Sequence, residues 1–163
     1  MEDIDIEKVF KFRKENKNYV EGLEFKSFDC YIDEKIFYKI KIFPTKKAMQ
    51  DYYEEDILGA CKNYTVVYSF RDSDKGKFSH FEDSHDNRYE SQMGEVLLCE
   101  EDLGSRIVTH ELTHMVIGYY SERINGGLAI IEDDMENEEI FCYLLGDCIS
   151  YVYNVLYDYN IIK

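Results

Sequence analysis

The chain contains a single proline, Pro44, and no glycine- or proline-rich stretch interrupts its 163 residues. Internal repeats and low-complexity blocks are absent too. With no linker to divide it, a chain of this length reads as one domain spanning residues 1–163, long enough to bury a single core. No apolar run reaches the ~18 residues of a membrane-crossing helix, so no membrane association is expected. The opening Met-Glu-Asp-Ile-Asp-Ile-Glu lacks the basic start and apolar middle of a secretory signal, which points to a cytoplasmic protein. Basic residues are scarce: 19 Lys and Arg stand against 34 Asp and Glu, a net charge of -15. An acidic surface repels a phosphate backbone and argues against nucleic acid as a partner. Paired cysteines are lacking as well. Cys30, Cys61, Cys99, Cys142 and Cys148 are odd in number and form no C-x-x-C. Free thiols acting as small apolar residues are expected.

What is present is a core-forming composition, 45% hydrophobic and 15% aromatic, which excludes a disordered chain. Residues 4–20 suit a short amphipathic helix. Residues 23–32 and 36–43 alternate apolar with polar positions and are rich in aromatic and β-branched side chains, a strand pattern, with Asp33-Glu34-Lys35 as a hairpin turn. Pro44-Thr45 stops the second strand, and Thr45 can cap a helix over 46–60 that carries Met49, Tyr52, Tyr53 and Ile57. Residues 63–71 form the clearest strand, followed by a turn at 72–76, a returning strand at 78–81, a polar loop over 82–93 and a short strand at 95–99. Helical periodicity then takes over, at 103–121 and again at 134–157. Glu100-Glu101-Asp102 lie near the positive end of the first of these helices. Asn125-Gly126-Gly127 follow it, and Asp133 or Asp134 can cap the second. Strands first and long helices after give an α+β fold, with a small mixed or antiparallel sheet packed on two C-terminal helices.

The first of these long helices carries His110-Glu111-Leu112-Thr113-His114, an H-E-x-x-H. One helical turn separates the two histidines, so both imidazoles can face one metal ion. Glu111 stands where a general base is needed to take a proton from water. On a helical wheel Val108, Leu112, Met115, Val116 and Tyr119 form a broad apolar face. His110 and His114 sit beside it, in line with Leu103, Ile107 and Ile117, which predicts an ion at the edge of a core. A catalytic zinc needs a third protein ligand and one open position. The metzincin continuation is excluded, because Ile117 and Tyr120 occupy its glycine and histidine positions. A carboxylate from the last helix is the better candidate. Its apolar face runs through Phe141, Leu144, Leu145, Cys148, Ile149, Val152 and Leu156. Glu138 stands three residues before Phe141 and seven before Leu145, which turns it toward that face. Glu139, about 100° round, is the alternative. A third reading makes the whole acidic run a solvated helix start.

H-E-L-T-H followed by Asn137-Glu138-Glu139 at the start of a helix resembles the gluzincin metallopeptidases. Their third ligand is a Glu on the next helix, with a small residue four positions on, a place Cys142 fills. Residues 137–146, and the strand-to-helix entry at 40–49, are similar to small phage- and prophage-encoded metallopeptidases, and more distantly to ImmA/IrrE-type peptidases. The resemblance implies a minimal zincin-like domain that uses Zn2+ held by His110, His114 and Glu138 and a Glu111-activated water to hydrolyse a peptide or protein substrate. It also implies a transition-state donor, for which Tyr119, Tyr120, Tyr143, His80 and His85 are candidates. The strand at 95–99 is either a sheet edge that binds extended peptide or an ordinary sheet strand. Competing with an enzyme are an acidic binding protein, such as a phage-type inhibitor or DNA mimic, and a zinc-bound inactive scaffold.

Overall fold

The computed structural model describes residues 5–63, 69–70, 78–79, 92–120 and 135–162. In chain order the elements are α1 (Ile6–Glu15), β1 (Val20–Glu21), β2 (Lys26–Tyr31), β3 (Phe37–Phe43), α2 (Lys46–Tyr53), β4 (Ala60–Asn63), β5 (Ser69–Phe70), β6 (Phe78–Ser79), β7 (Gln92–Cys99), α3 (Ser105–Tyr119) and α4 (Met135–Asp158). Alternation decides how the sheet is covered. In β3 the side chains of Tyr38, Ile40 and Ile42 are buried, while Phe37, Lys39 and Lys41 between them are only half-buried. β2 joins β3 as an antiparallel hairpin, and Asp33 Oδ1 closes the turn by accepting from Lys35 N and Ile36 N, each at 2.7 Å. The five-stranded sheet has the order β1-β2-β3-β7-β4. β7 runs parallel to β3 and antiparallel to β4, so the sheet is mixed. β5 and β6 pair separately.

The two faces carry different cores. Phe28, Ile40, Ile42, Val96 and Leu98 pack with Val108, Leu112, Met115 and Val116 of α3 and with Leu144, Cys148 and Val152 of α4. Complete burial of side chains this size contributes ~1.5–3 kcal/mol each, which fixes both helices on the sheet. On the opposite face Phe43, Leu97 and Cys99 pack against Met49 of α2. There Lys41 and Glu95 form a nearly buried ion pair at 2.6 Å. The α+β expectation, with a sheet from the first part of the chain and two long C-terminal helices on it, is therefore what the molecule has.

Several boundaries move, each for a local reason. The first helix spans 6–15 rather than 4–20, because Asn16 folds its amide back onto Phe12 O at 2.8 Å and Asn18 takes a left-handed φ of 48°. Thr45 caps α2 as expected, Oγ1 accepting from Ala48 N at 3.0 Å. That helix stops at Tyr53 rather than at 60, because Glu54 is left-handed and donates its N–H to Gln50 O. Glu101 sits not at the start of α3 but at that of α2, accepting from Lys46 N at 2.6 Å, while Glu100 pairs with Lys26 at 2.8 Å. The strand expected at 63–71 is described only at Asn63, the end of β4, and at Ser69–Phe70. β7 begins at Gln92, inside the segment read as a polar loop. The turn at 72–76, His80, His85, Asn125-Gly126-Gly127, Asp133 and Asp134 lie outside the described residues. All five cysteines are free, with Cys30, Cys99 and Cys148 buried as small apolar residues are. Among the described residues, α4 is the one helix with the length and composition of a membrane span. An 18-residue stretch within Glu139–Asp158 has a mean hydropathy of 1.3, enough by length and composition alone to cross a membrane, and 33% of it is buried inside the fold. Asp147 and Asn154 break the plain apolar run within it.

Candidate metal centre

Helix α3 holds the H-E-x-x-H. Neither its N-cap, Gly104, nor any acidic residue in the first turn supports it. Packing does so instead, since Val108, Leu112, Met115, Val116 and Tyr119 are all buried, the apolar face that the wheel predicts. Thr113 spends its hydroxyl inside the helix, donating to Thr109 O at 2.6 Å.

The two histidines converge. His114 Nε2 lies 3.3 Å from His110 Nε2, with the rings 76° apart. Nitrogens bound at about 2.0–2.1 Å in a tetrahedron around zinc are about 3.3–3.4 Å apart, so the observed gap suits two ligands of one ion. The donor set, two imidazole nitrogens presented through the same atom, also suits zinc. In one respect the histidines differ from expectation. Both are exposed, the His110 side chain by 64%, and the place at the edge of the core belongs to Glu111. The reason is angular. Ile107 and Ile117, which share the histidine stripe, are half-buried on the shoulder of the helix, and Glu111, about 100° from His110, turns inward.

Glu111 is buried, with Oε1 4.0 Å from His110 Nε2. Burial raises its carboxyl above the usual carboxylate range, and the two neighbouring histidines pull it partly back. A carboxylate made more basic in this way is suited to accept a proton and give it up again. Strand β4 forms its surroundings. The Cys61 thiol is pushed up to about 12, chiefly by burial and then by the charge of Glu111. At the other end of β4, Asn63 accepts the Tyr38 hydroxyl, and its amide lies against Gly118 of α3, where a Cβ would fall 2.7 Å from Asn63 Oδ1. A side chain at residue 118 would have to displace the Asn63 amide. The sequence reading missed this contribution of β4, because its four residues are all half-buried and show no alternation.

Glu138 lies in the first turn of α4, and its side chain is outside the described residues. Glu139 is exposed, as are Cys142, Tyr143, Gly146 and Ser150, which continue its face along α4. Phe141, one turn after Glu138, packs edge-on against Tyr120 at the end of α3, with centroids 5.9 Å apart. Among the described residues no group of three His, Cys, Asp or Glu side chains comes together. Tyr119 donates its hydroxyl to Asp33 Oδ2 at 2.8 Å, tying α3 to the β2–β3 turn. Tyr120 is buried and Tyr143 is exposed. β7 lies in the interior of the sheet between β3 and β4, which removes it as a peptide-binding edge. The reason is burial on both faces, from Met93 to Cys99. The outer strand beside α3 is β4, which among the described residues pairs with β7 alone. Comparisons with protein-family models, with curated proteins and with solved structures returned no match.

Proposed function

We propose that the chain is a zinc-dependent hydrolase, most simply a metallopeptidase acting on a peptide or protein. The observation that carries this reading is the 3.3 Å approach of His110 Nε2 and His114 Nε2 beside a buried carboxylate on the same helix. His110 and His114 hold the ion through Nε2, and Glu138 completes the protein ligands. Glu138 is preferred to Glu139 on the sequence pattern, in which it stands three residues before Phe141 and seven before Leu145 on the apolar stripe of α4. Bound zinc supplies a Lewis acid that polarises a carbonyl and brings the pKa of water toward about 7. Glu111 accepts the proton of the attacking water on its carboxylate and returns it to the leaving nitrogen, so it ends the cycle as it began. The outer side of β4, next to Glu111, offers backbone groups to an extended substrate.

A second reading, an acidic binding protein in which H-E-x-x-H is incidental, draws on the net charge of -15. Metal analysis of protein purified without added zinc separates the two. About one zinc per chain, lost in His110→Ala, supports the hydrolase, and protein that neither carries nor takes up zinc refutes it. Glu111→Gln keeps the zinc and abolishes peptide hydrolysis. Zinc without turnover in the wild-type protein identifies an inactive scaffold.

A further inference from the structure

We infer that Gly59 is a positioning residue for Glu111, its missing side chain letting the chain that enters β4 stand as a wall against the stem of the catalytic carboxylate. The inference rests on the hydrolase reading above. A Cβ at Gly59 would lie 3.1 Å from Ile107 Cγ2, 3.2 Å from Leu97 O and 3.4 Å from Glu111 Cγ. These three neighbours differ in how far they can yield. Leu97 belongs to β7 and is the register partner of Ala60, the residue after Gly59, so its carbonyl is fixed by the sheet. Ile107 and Glu111 stand one turn apart on one side of α3. A methyl group added at residue 59 therefore cannot move toward the sheet. It presses on Ile107 and comes into van der Waals contact with the stem of Glu111, one turn on.

The far end of β4 removes the option of sliding the strand away. There Asn63 is held by the Tyr38 hydroxyl and rests on Gly118. α3 is fixed from the other side by Tyr119, bound to Asp33 at 2.8 Å. The strand and the helix thus touch at two anchored points, with Cys61 between them, partly buried against the same core. Of the two helix side chains, Ile107 is branched at Cβ and stiff, so the unbranched stem of Glu111 is the part that shifts. The histidines are exposed, and neither is among the three atoms nearest to a Cβ at Gly59. Metal binding and base placement are therefore separable by mutation.

Displacing a reacting group by ~1 Å costs on the order of 100-fold in rate, so shifts of a few tenths of an ångström cost several-fold. Gly59→Ala lowers kcat on a peptide substrate about 3- to 10-fold, and Gly59→Val lowers it further. KM, zinc content and thermal midpoint stay close to those of the wild type. Gly59→Ala/Ile107→Ala removes the Cγ2 contact and recovers part of the loss, while Ile107→Ala alone changes kcat by less than about 2-fold. In zinc-free protein the side-chain carboxyl 13C resonance of Glu111 moves in Gly59→Ala and returns toward its wild-type position in the double variant. Full kcat in both Gly59 variants overturns the inference. So does a loss of kcat that comes with lost zinc or an unmoved Glu111 resonance, which would make Gly59 a general structural residue. A wild-type protein that binds no zinc or cleaves nothing fails earlier, and overturns the hydrolase reading itself.

Discussion

Replacing Glu111 by Gln is expected to make the metal-free protein more stable at neutral pH while removing its hydrolytic activity. The carboxyl is buried against α3 and β4, and burial is the largest influence on it, raising its pKa above that of an ordinary carboxyl. Its proton is therefore held more tightly in the folded chain than in the unfolded one. The sign follows from linkage. The protonated carboxyl contributes its full stability below the unfolded value, and that contribution is lost as the pH rises through the higher, folded value. Glutamine is uncharged and nearly isosteric, so it carries no such loss. The gap in thermal midpoint between Glu111→Gln and wild type should be small at pH 4 and grow in favour of the variant up to pH 7.5. For a domain of this size each kcal/mol appears as ~2–4 °C. The assay is scanning calorimetry of both proteins in chelator across that range. Added zinc should narrow the gap, because a nearby cation favours the carboxylate. A gap that does not change with pH, or that favours wild type at pH 7.5, would refute the account of Glu111 as a carboxylate held ionised against its environment. Loss of the general base lowers kcat by ~100- to 10,000-fold.

Three further outcomes follow from the same geometry. Glu138→Ala should weaken zinc affinity, measured by competition with a chromogenic chelator, whereas Glu139→Ala leaves it unchanged; the opposite pattern exchanges the two residues. Leu112→Ala empties a fully buried site under the sheet and should cost ~2–5 kcal/mol in denaturant unfolding, and a cost below ~1 kcal/mol would contradict the packing of α3 on the sheet. Cys142 is the exposed cysteine and should react first with a thiol reagent under native conditions, while Cys30, Cys99 and Cys148 react only on unfolding, an order that peptide mapping of the labelled protein checks.

Legibility in the sequence followed the range of the interaction. The spacing of His110, Glu111 and His114 is local, so one helical turn suffices to predict the approach that the rings make. The Thr45 cap and the Asp33 turn are equally local, each a side chain bonding a backbone N–H two or three residues on. Glu101 shows where such reading stops. In sequence it precedes α3, and charge alone assigns it there. In the fold β3 and β7 are parallel with Phe43 and Cys99 as register partners, so the residues after both strands emerge side by side. Glu100 N then donates to Phe43 O at 2.8 Å, and Glu101 meets the first turn of α2, 55 residues away. No helix-start pattern contains that information.

The same limit hides the support of the candidate site. β4 is antiparallel to β7, and α3 turns back after β7, so β4 and α3 run the same way. Their lengths match: four strand residues from Gly59 to Asn63 advance ~13 Å, and nine helical residues from the midpoint of Ile107 and Glu111 to Gly118 advance ~13.5 Å. Gly59 and Gly118 therefore fall where strand and helix touch, at both ends of one matched span. In sequence these glycines stand far apart, in segments of different periodicity, and neither is marked by a turn motif. Pairing of the two elements gives them a shared purpose, and that pairing depends on a sheet order in which β7, late in the chain, inserts between β3 and β4. The histidine pair needs only its own helix. The placement of the base between them depends on the whole sheet, so mutations in β4 should affect turnover before they affect metal.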